Sequence, residues 1–166
     1  TQDKALSKKL LAFHGILYPG VMLTQTGPKV LEFNARFGDP ETQVYLPRLQ
    51  NDLAELLAAS IDGTLGKLEL NWNPMPSVCV VMASGGYPGS YAKGKLIRGL
   101  DEAARLPNTK VFHAGTAKAG DQIVTSGGRV LGVTAWGKDL RTARDAAYAA
   151  VDTIHFEGAQ YRRDIA

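Results

Sequence analysis

Three polar side chains of different chemistry follow one another at two-residue spacing within residues 30–36. They are the carboxylate of Glu32, the amide of Asn34 and the guanidinium of Arg36, with an apolar residue before each of them. Residues two apart lie on one face of a β-strand. Carboxylate and amide oxygens suit Mg²⁺, and the arginine fork suits a phosphate group. The pattern could therefore hold a divalent cation beside phosphate oxygens, although an ordinary strand with a polar outer face would show the same alternation.

The run Gly38-Asp39-Pro40-Glu41-Thr42 comes directly after this strand and predicts the start of a helix. Asp39 would be the N-cap and Pro40 the first helical residue. Carboxylates are favoured at a helix N-terminus, which is a purely structural account of Asp39 and Glu41. The functional alternative is that Asp39, Pro40 and Glu41 bind substrate, through an amine or a ribose hydroxyl, next to Arg36. Both interpretations stay open, because a capped loop is also a rigid one.

Composition narrows the possible classes of protein. The chain has 166 residues, of which 45% are hydrophobic and 21% charged, and this suits one ordinary domain or two small ones. The net charge of +3 is spread along the chain, so no nucleic-acid partner is indicated. No apolar run is long enough for a membrane span, so no membrane partner is expected. Cys79 is the single cysteine, which predicts a buried apolar residue and a cytoplasmic protein.

Hydrophobic periodicity predicts an α+β chain. Strands are expected over 17–24, 29–36, 77–83, 95–98, 110–114, 122–125 and 129–135, and helices over 3–13, 39–49, 53–61 and 139–154. Asn51 or Asp52 would cap the third helix, whose stripe is Leu53, Leu56, Leu57 and Ile61. Asp139 would cap the last helix, with Leu140, Ala143, Ala147, Val151 and Ile154 facing inward. The first two strands would form one hairpin, and Ser126-Gly127-Gly128 would join the last two strands as another.

The run Asn71-Trp72-Asn73-Pro74-Met75-Pro76 interrupts both periodicities and is the expected domain boundary. It divides the chain into residues 1–73 and residues 74–166. Thr1 is not a methionine and leads directly into helical spacing. We therefore expect a piece of a longer protein that carries only part of a site.

A family resemblance rests on the polar strand, on the run after it and on several other strings. Leu31-Glu32-Phe33-Asn34 followed by Arg36 resembles the metal-binding strand of ATP-grasp ligases. The longer run over residues 27–42 is similar to the phosphoribosylamine–glycine ligases of purine biosynthesis. Further matching strings, in the same order, lie at residues 17–24, 81–89, 111–116, 127–131 and 161–165. Ala166 stands where that family usually has glycine.

The resemblance implies that residues 1–73 end an ATP-grasp domain and that residues 74–166 form a small β-rich, barrel-sandwich-like domain with a C-terminal helix. It implies an ATP-dependent ligase that joins glycine to 5-phosphoribosylamine through glycyl phosphate, giving glycinamide ribonucleotide, ADP and phosphate. Glu32 and Asn34 would bind Mg²⁺ or Mn²⁺, Arg36 would be catalytic, and Leu31 would line the adenine pocket. The missing N-terminal part would complete the site, and the fragment is expected to be inactive alone.

Two other functions fit parts of the sequence. One is another ATP-grasp enzyme, a carboxylate–amine ligase or a carboxylase, with the same metal strand. The other is a non-enzymatic carrier or interaction module, because a β-rich hairpin domain resembles biotinyl and lipoyl carriers in outline. Those carriers need a lysine at the hairpin tip, and the expected tip Ser126-Gly127-Gly128 has none. The Gly85-Gly86-Tyr87-Pro88-Gly89 loop could approach a ligand or could simply connect strands.

Overall fold

The computed structural model describes residues 18–34 and 36–166, and the predicted helix over 3–13 lies outside them. The strands are β1 (Tyr18–Thr24), β2 (Gly27–Asn34), β3 (Ser77–Ala83), β4 (Thr109–His113), β5 (Thr116–Ala119), β6 (Gln122–Thr125) and β7 (Arg129–Trp136). The helices are α1 (Glu41–Tyr45), α2 (Leu53–Ile61), α3 (Leu100–Ala104) and α4 (Leu140–Thr153). Short 3₁₀ turns cover Leu46–Arg48 and Leu65–Lys67. The chain is thus α+β, as its periodicity predicted.

The chain divides into two compact units. The first contains the described residues up to Thr42 together with Leu49–Asn73. The second contains Gln43–Arg48 and Pro74–Ala166. Within the described residues no helix has the length and apolar character needed to cross a membrane.

The first unit is built on the antiparallel β1–β2 hairpin. Its tight turn closes at Gly27, whose φ of 100° favours glycine, and Thr24 Oγ1 donates to the Gly27 carbonyl at 2.6 Å. Along the hairpin Gly20 pairs with Glu32 but Val21 pairs with Val30. Leu31 is therefore the extra residue of a β-bulge. The strict alternation expected from residue 30 onward is interrupted at that point.

Helix α2 follows in the same unit, and of the two caps that the sequence left open, Asn51 and Asp52, the structure has Asp52. The Asp52 carboxylate accepts hydrogen bonds from the backbone amides of Ala54 and Glu55 at 2.7 and 3.4 Å. Gly63, with a φ of 69°, follows the end of the helix. Ile61, at the end of the predicted apolar stripe, is 87% exposed.

The second unit has a three-stranded antiparallel sheet in the order β3-β7-β4, and α4 packs against it. The core between sheet and helix is formed chiefly by Val78, Val80, Met82, Val130, Leu131, Val133, Ala135, Ala143, Ala147, Ala150, Val151 and Ile154. Asp139 caps α4, as predicted, because its carboxylate accepts from the Thr142 amide at 2.7 Å. Leu140 opens the helix and is 50% exposed, so its predicted inward position is wrong.

Residues 43–48 belong to this second unit and contact the sheet. Ser77 Oγ donates to the Val44 carbonyl at 2.6 Å. Gly132 leaves room for the side chains of Gln43 and Cys79, because a Cβ there would lie 3.4 Å from each of them. Cys79 is buried and carries a free thiol, as the sequence predicted.

The smaller strands of this unit correct the expected topology. β6 pairs with β5, so the predicted hairpin of 122–125 with 129–135 is wrong. The amides of Ser126 and Gly127 donate instead to the Gly115 carbonyl at 2.7 and 3.1 Å. Residues 95–98 form no strand and make only the isolated bridges Leu96–Val124 and Arg98–His155. The described strands form small open sheets, and the barrel-sandwich detail is not confirmed.

Candidate functional site

The site residues expected from the sequence begin on β2. Glu32 pairs with Gly20 and Asn34 pairs with Tyr18, with a regular register between the two pairs. The two-residue periodicity of the strand therefore holds from position 32 to position 34. Glu32 is exposed, and its side chain occupies the space over Gly20, where a Cβ would lie 2.9 Å from Glu32 Cγ and 3.3 Å from Oε1. A residue without a side chain thus makes room for the carboxylate.

The donor set at these two positions fits a hard divalent cation. A carboxylate and an amide supply oxygen ligands, and Mg²⁺ is commonly held by only one or two protein ligands, with phosphates and waters completing its shell. No cluster of three or more His, Cys, Asp or Glu side chains suited to a metal is present in the described part of the chain. Glu32 and Asn34 stay the pair that the sequence predicts as metal ligands.

Leu31 and Arg36 lie on either side of this pair in the chain. Leu31 is the bulged residue and is 65% exposed in the first unit, so it does not contribute to a core there. Strand β2 ends at Asn34, so the expectation of one strand face reaching Arg36 is wrong. Arg36 is exposed, and its Nη1 donates to the neighbouring Phe37 carbonyl at 3.0 Å. The guanidinium thus lies beyond the strand end.

The residues expected to bind substrate form the turn after Gly38. α1 begins at Glu41, so the prediction that Pro40 is the first helical residue is wrong. The Asp39–Pro40 peptide bond is cis. The helix start is closed instead by Thr42, whose amide and hydroxyl both donate to the Gly38 carbonyl.

The Glu41 carboxylate packs against the backbone of this turn, whereas Asp39 is exposed to solvent. Gly38 is buried, and a Cβ there would come within 2.6 Å of Glu41 Oε2, so the Glu41 carboxylate lies directly over Gly38. Asp39 is exposed and Pro40 is half-buried. Because Gly38 has no side chain, the Glu41 carboxylate can approach the backbone closely.

The glycine-rich loop of the second unit has a packing role. A Cβ on Gly128 would lie 2.2 Å from the Tyr87 ring, and one on Gly85 would lie 2.8 Å from the Gly158 carbonyl. Arg129 Nε donates to the Tyr87 hydroxyl at 3.2 Å, and Gln160 Nε2 donates to the Tyr87 carbonyl at 2.8 Å. Close approach between loops thus explains why Gly85 and Gly128 have no side chain.

Comparison with family models gives two matches to one family. The model of the phosphoribosylglycinamide synthetase C domain matches residues 77–166. The model of the phosphoribosylglycinamide synthetase ATP-grasp (A) domain matches residues 2–42. The first match alone covers more than half of the chain.

Curated relatives agree along nearly the whole chain. The phosphoribosylamine–glycine ligase of Caldanaerobacter subterraneus subsp. tengcongensis is 52% identical over 162 residues, which are 98% of this chain and 38% of the relative. The Synechocystis ligase of the same name is 53% identical over 163 residues, covering 97% of this chain and 39% of the relative. An Arabidopsis thaliana relative named as chloroplastic is 49% identical and is covered to 31%. The chain spans less than half the length of these relatives.

Solved structures show the same similarity in three dimensions. The crystal structure of phosphoribosylamine–glycine ligase from Thermotoga maritima matches with a TM-score of 0.71 and 39% identity, over 90% of this chain and 36% of that one. N5-carboxyaminoimidazole ribonucleotide synthetase from the same organism matches with a TM-score of 0.58 at 18% identity, over 86% and 37% of the two chains. At 18% identity, the second likeness is one of fold alone.

Proposed function

This chain belongs to the phosphoribosylglycinamide synthetase family, and we propose that it is part of an ATP-dependent ligase that joins glycine to 5-phosphoribosylamine. The observation that carries this proposal is the 52% identity to a phosphoribosylamine–glycine ligase across 98% of the chain. Because the relatives are much longer, the proposed activity belongs to the complete protein that carries this sequence. The remainder of that protein would supply the rest of the site, and its proposed compartment is the cytoplasm.

The proposed division of labour follows the expected boundary near residue 73. Residues 1–73 would be the last part of an ATP-grasp domain, and residues 74–166 the small C-terminal domain, for which the barrel-sandwich form remains part of the proposal. The match of the ATP-grasp model to residues 2–42 and of the C-domain model to residues 77–166 supports this division.

The proposed reaction has two group transfers. A carboxylate oxygen of glycine attacks the γ-phosphorus of ATP, the bond to the β-phosphate oxygen breaks, and ADP leaves with that electron pair. The amine nitrogen of phosphoribosylamine then attacks the carbonyl carbon of glycyl phosphate. Phosphate leaves, the nitrogen loses a proton, and glycinamide ribonucleotide is formed. The first step develops negative charge on phosphoryl oxygens, and the second develops it on the oxygen of the tetrahedral centre and on the leaving phosphate. Catalysis therefore depends on positioned cationic and hydrogen-bonding groups.

Glu32 and Asn34 would hold the divalent cation, Mg²⁺ or Mn²⁺, that ATP-grasp ligases use with ATP. Bound there, the cation would supply charge neutralisation between phosphate oxygens. Gly20 supports this role, because it leaves space for the Glu32 carboxylate on the hairpin. The chain itself contributes the two-residue spacing of these positions along β2.

Arg36 would stabilise negative charge on the acyl phosphate and on the tetrahedral centre that follows it. A guanidinium can donate two parallel hydrogen bonds to one phosphoryl group. Its position just beyond the end of β2, exposed and held by one hydrogen bond to a neighbouring carbonyl, leaves other N–H groups for such a contact.

The remaining residues of the proposed site recognise the substrates. Leu31 would contribute an apolar surface to the adenine pocket, a role compatible with its exposed bulge position. Asp39, Pro40 and Glu41 would bind the substrate amine or a ribose hydroxyl beside Arg36. Their contiguous turn, closed by hydrogen bonds to Gly38, supports a fixed arrangement.

An assay of the complete protein tests this function against its closest alternative. ADP release should depend on glycine and phosphoribosylamine together and should not be supported by bicarbonate. Bicarbonate-dependent ADP release without glycine would assign the chain to a carboxylase-type ATP-grasp enzyme instead. Intact mass spectrometry distinguishes the carrier alternative, because a carrier would show the added mass of a covalently bound cofactor.

A further inference from the structure

A cleft of about 370 Å³ lies within the second unit, whereas the proposed metal ligands belong to the first. It is lined by Lys95, Leu96, Arg98, His155, Phe156 and Glu157. Its volume falls within the range of roughly 300–1,000 Å³ that accommodates small ligands. All six residues belong to the second unit.

Backbone hydrogen bonds fix the two walls of the cleft. The Arg98 amide donates to the His155 carbonyl at 2.9 Å, and the His155 amide donates back to the Arg98 carbonyl at 3.0 Å. Two residues that exchange both hydrogen bonds in an antiparallel pair project their side chains to the same side. Ile97, next to Arg98 and in the core, is only 5% exposed and anchors this wall. The Arg98 and His155 side chains are thus neighbours on a rigid backbone.

Of the polar side chains that line the cleft, Lys95 and Glu157 pair with each other, whereas Arg98 and His155 have no protein partner among the described residues. Lys95 Nζ lies 2.7 Å from Glu157 Oε2, so these two charges compensate each other at the rim. Within residues 18–34 and 36–166, the Arg98 and His155 side chains make no hydrogen bond or ion pair. Both side chains are exposed to solvent. An arginine fork and an imidazole that are neighbours and have no protein partners in the described part of the chain form an anion-binding arrangement.

We propose that this cleft binds the phosphate group of a small phosphorylated molecule such as a sugar phosphate. The Arg98 fork would donate to two phosphate oxygens and the His155 ring to a third, which matches a tetrahedral group better than a planar carboxylate. Phe156 is 8% exposed and Leu96 is half-buried, so together they give an apolar floor for the body of the ligand. Lys95, held by Glu157, lies at the rim.

A nuclear magnetic resonance titration of the ¹⁵N-labelled chain tests the proposal. At constant ionic strength, ribose 5-phosphate should shift the amide signals of Arg98, His155 and Phe156 in a saturable way. Inorganic phosphate should shift the same signals, while ribose alone should leave them unchanged. Signals that do not move with either phosphate compound, or that move equally with ribose alone, would overturn the proposal.

Two variants and a matched control make the test specific. Arg98→Gln should weaken the affinity for ribose 5-phosphate by about tenfold or more, because charge-assisted hydrogen bonds are lost, and His155→Gln should weaken it to a smaller degree. Arg141→Gln, on the exposed first turn of α4, removes the same charge elsewhere and should leave the affinity unchanged. Preserved dispersion of the amide signals shows that each variant is folded.

Glu157→Gln separates ligand binding from a purely structural role of Arg98 and His155, because only ligand binding predicts a gain of affinity. It removes the negative charge at the rim and releases Lys95, so the affinity for ribose 5-phosphate should increase by about two- to fivefold. Weaker or unchanged binding by Glu157→Gln, or wild-type affinity of Arg98→Gln, would contradict the proposal.

Discussion

Gly20 and Glu32 face each other across the β1–β2 hairpin, and the Glu32 side chain fills the space that a side chain at position 20 would need. A Cβ on Gly20 would stand 2.9 Å from Glu32 Cγ, closer than such atoms approach in proteins. The position of the proposed metal-binding carboxylate is therefore set by the absence of a side chain on the neighbouring strand.

Gly20→Ala should reduce metal-dependent turnover while leaving the stability of the fold nearly unchanged. The displaced group is the flexible, exposed side chain of Glu32, so the free energy of unfolding should change by less than about 1 kcal/mol. The carboxylate itself must move, so metal-dependent turnover of the complete protein should fall by about tenfold. The measurements are initial rates of ADP release over a range of Mg²⁺ concentrations and a thermal melt.

Gly66→Ala is the matched control for this change. Nothing lies within 4 Å of a Cβ at Gly66, and its φ is not in the left-handed region. This variant should keep both wild-type turnover and wild-type stability. An unchanged Mg²⁺ dependence in Gly20→Ala would show that the carboxylate position is not critical.

Glu32→Gln keeps the side-chain shape and removes its charge. Turnover of the complete protein should fall by about 10²–10³-fold, because a charged group at the phosphates is lost. Because Glu32 is exposed, the melting temperature should stay within about 2 °C of wild type. Glu69→Gln, another exposed carboxylate of the first unit, should leave turnover unchanged. Near-wild-type, metal-dependent turnover in Glu32→Gln would refute the metal-binding role.

Arg36→Ala should reduce turnover by about 10²–10³-fold with little loss of stability. The side chain is exposed and its hydrogen bond goes to the carbonyl of the adjacent residue Phe37, so its removal costs the fold little. Arg36→Lys should restore only part of the activity, since an ammonium cannot donate as a fork. Single-turnover rates of ADP formation and of amide formation would show which step is slowed. Equal rates in Arg36→Ala and wild type would exclude a catalytic role.

Asp139 should make the stability of the second unit depend on acid pH. Hydrogen bonds from the Thr142 amide and the Thr142 hydroxyl lower the pKa of the Asp139 carboxyl below its ordinary value. A lowered folded-state pKa stabilises the fold above the unfolded-state pKa, about 3.9, and this contribution is lost as pH falls through the folded-state pKa.

Asp139→Ala should therefore lower the melting temperature by a few degrees at pH 7, and the difference from wild type should shrink at pH 3. Asp139→Asn is the control, because asparagine caps helices about as well but does not titrate. Circular dichroism melts at both pH values supply the measurement. A deficit in Asp139→Ala that is the same at pH 3 and pH 7 would contradict the assigned pKa direction.

Gly115→Ala tests the loop contact that replaces the expected hairpin. A Cβ at Gly115 would lie 2.6 Å from the Arg129 carbonyl oxygen and 2.6 Å from Gly127 Cα. These are backbone atoms that cannot rotate away, so the variant should be destabilised by roughly 1–3 kcal/mol. Urea unfolding followed by circular dichroism measures this loss. A stability equal to that of wild type would mean that the two loops are not packed as described.

Several elements could be predicted from the sequence because they depend on local chemistry. The caps at Asp52 and Asp139 need only an acceptor side chain next to free amides within one turn. The run over 77–83 is rich in branched apolar residues and became a buried strand of the sheet. The order of Glu32, Asn34 and Arg36, and the family to which they point, are likewise properties of the chain alone.

The β-bulge and the strand pairing depended on contacts between distant residues. Pro19-Gly20 favours a bulge or an edge position in the first strand, but nothing local to Leu31 indicates that it is the residue left unpaired. The turn residues Ser126 and Gly127 suit a tight hairpin, yet their amides bond to Gly115, because β7 pairs with β3 and β4 instead. Periodicity reports which face of an element is apolar, but it does not identify the partner strand.

The sequence by itself determined the α+β class, the caps of α2 and α4, the family and the identity of the candidate metal ligands. Only the tertiary structure decided that Gly20 makes room for Glu32, that Arg36 lies beyond the strand, and that Arg98 and His155 are neighbours across a cleft. The physical reason is that side-chain chemistry and short-range periodicity are written in consecutive residues. Juxtaposition across strands and loops follows from the pairing of segments that are far apart in the chain.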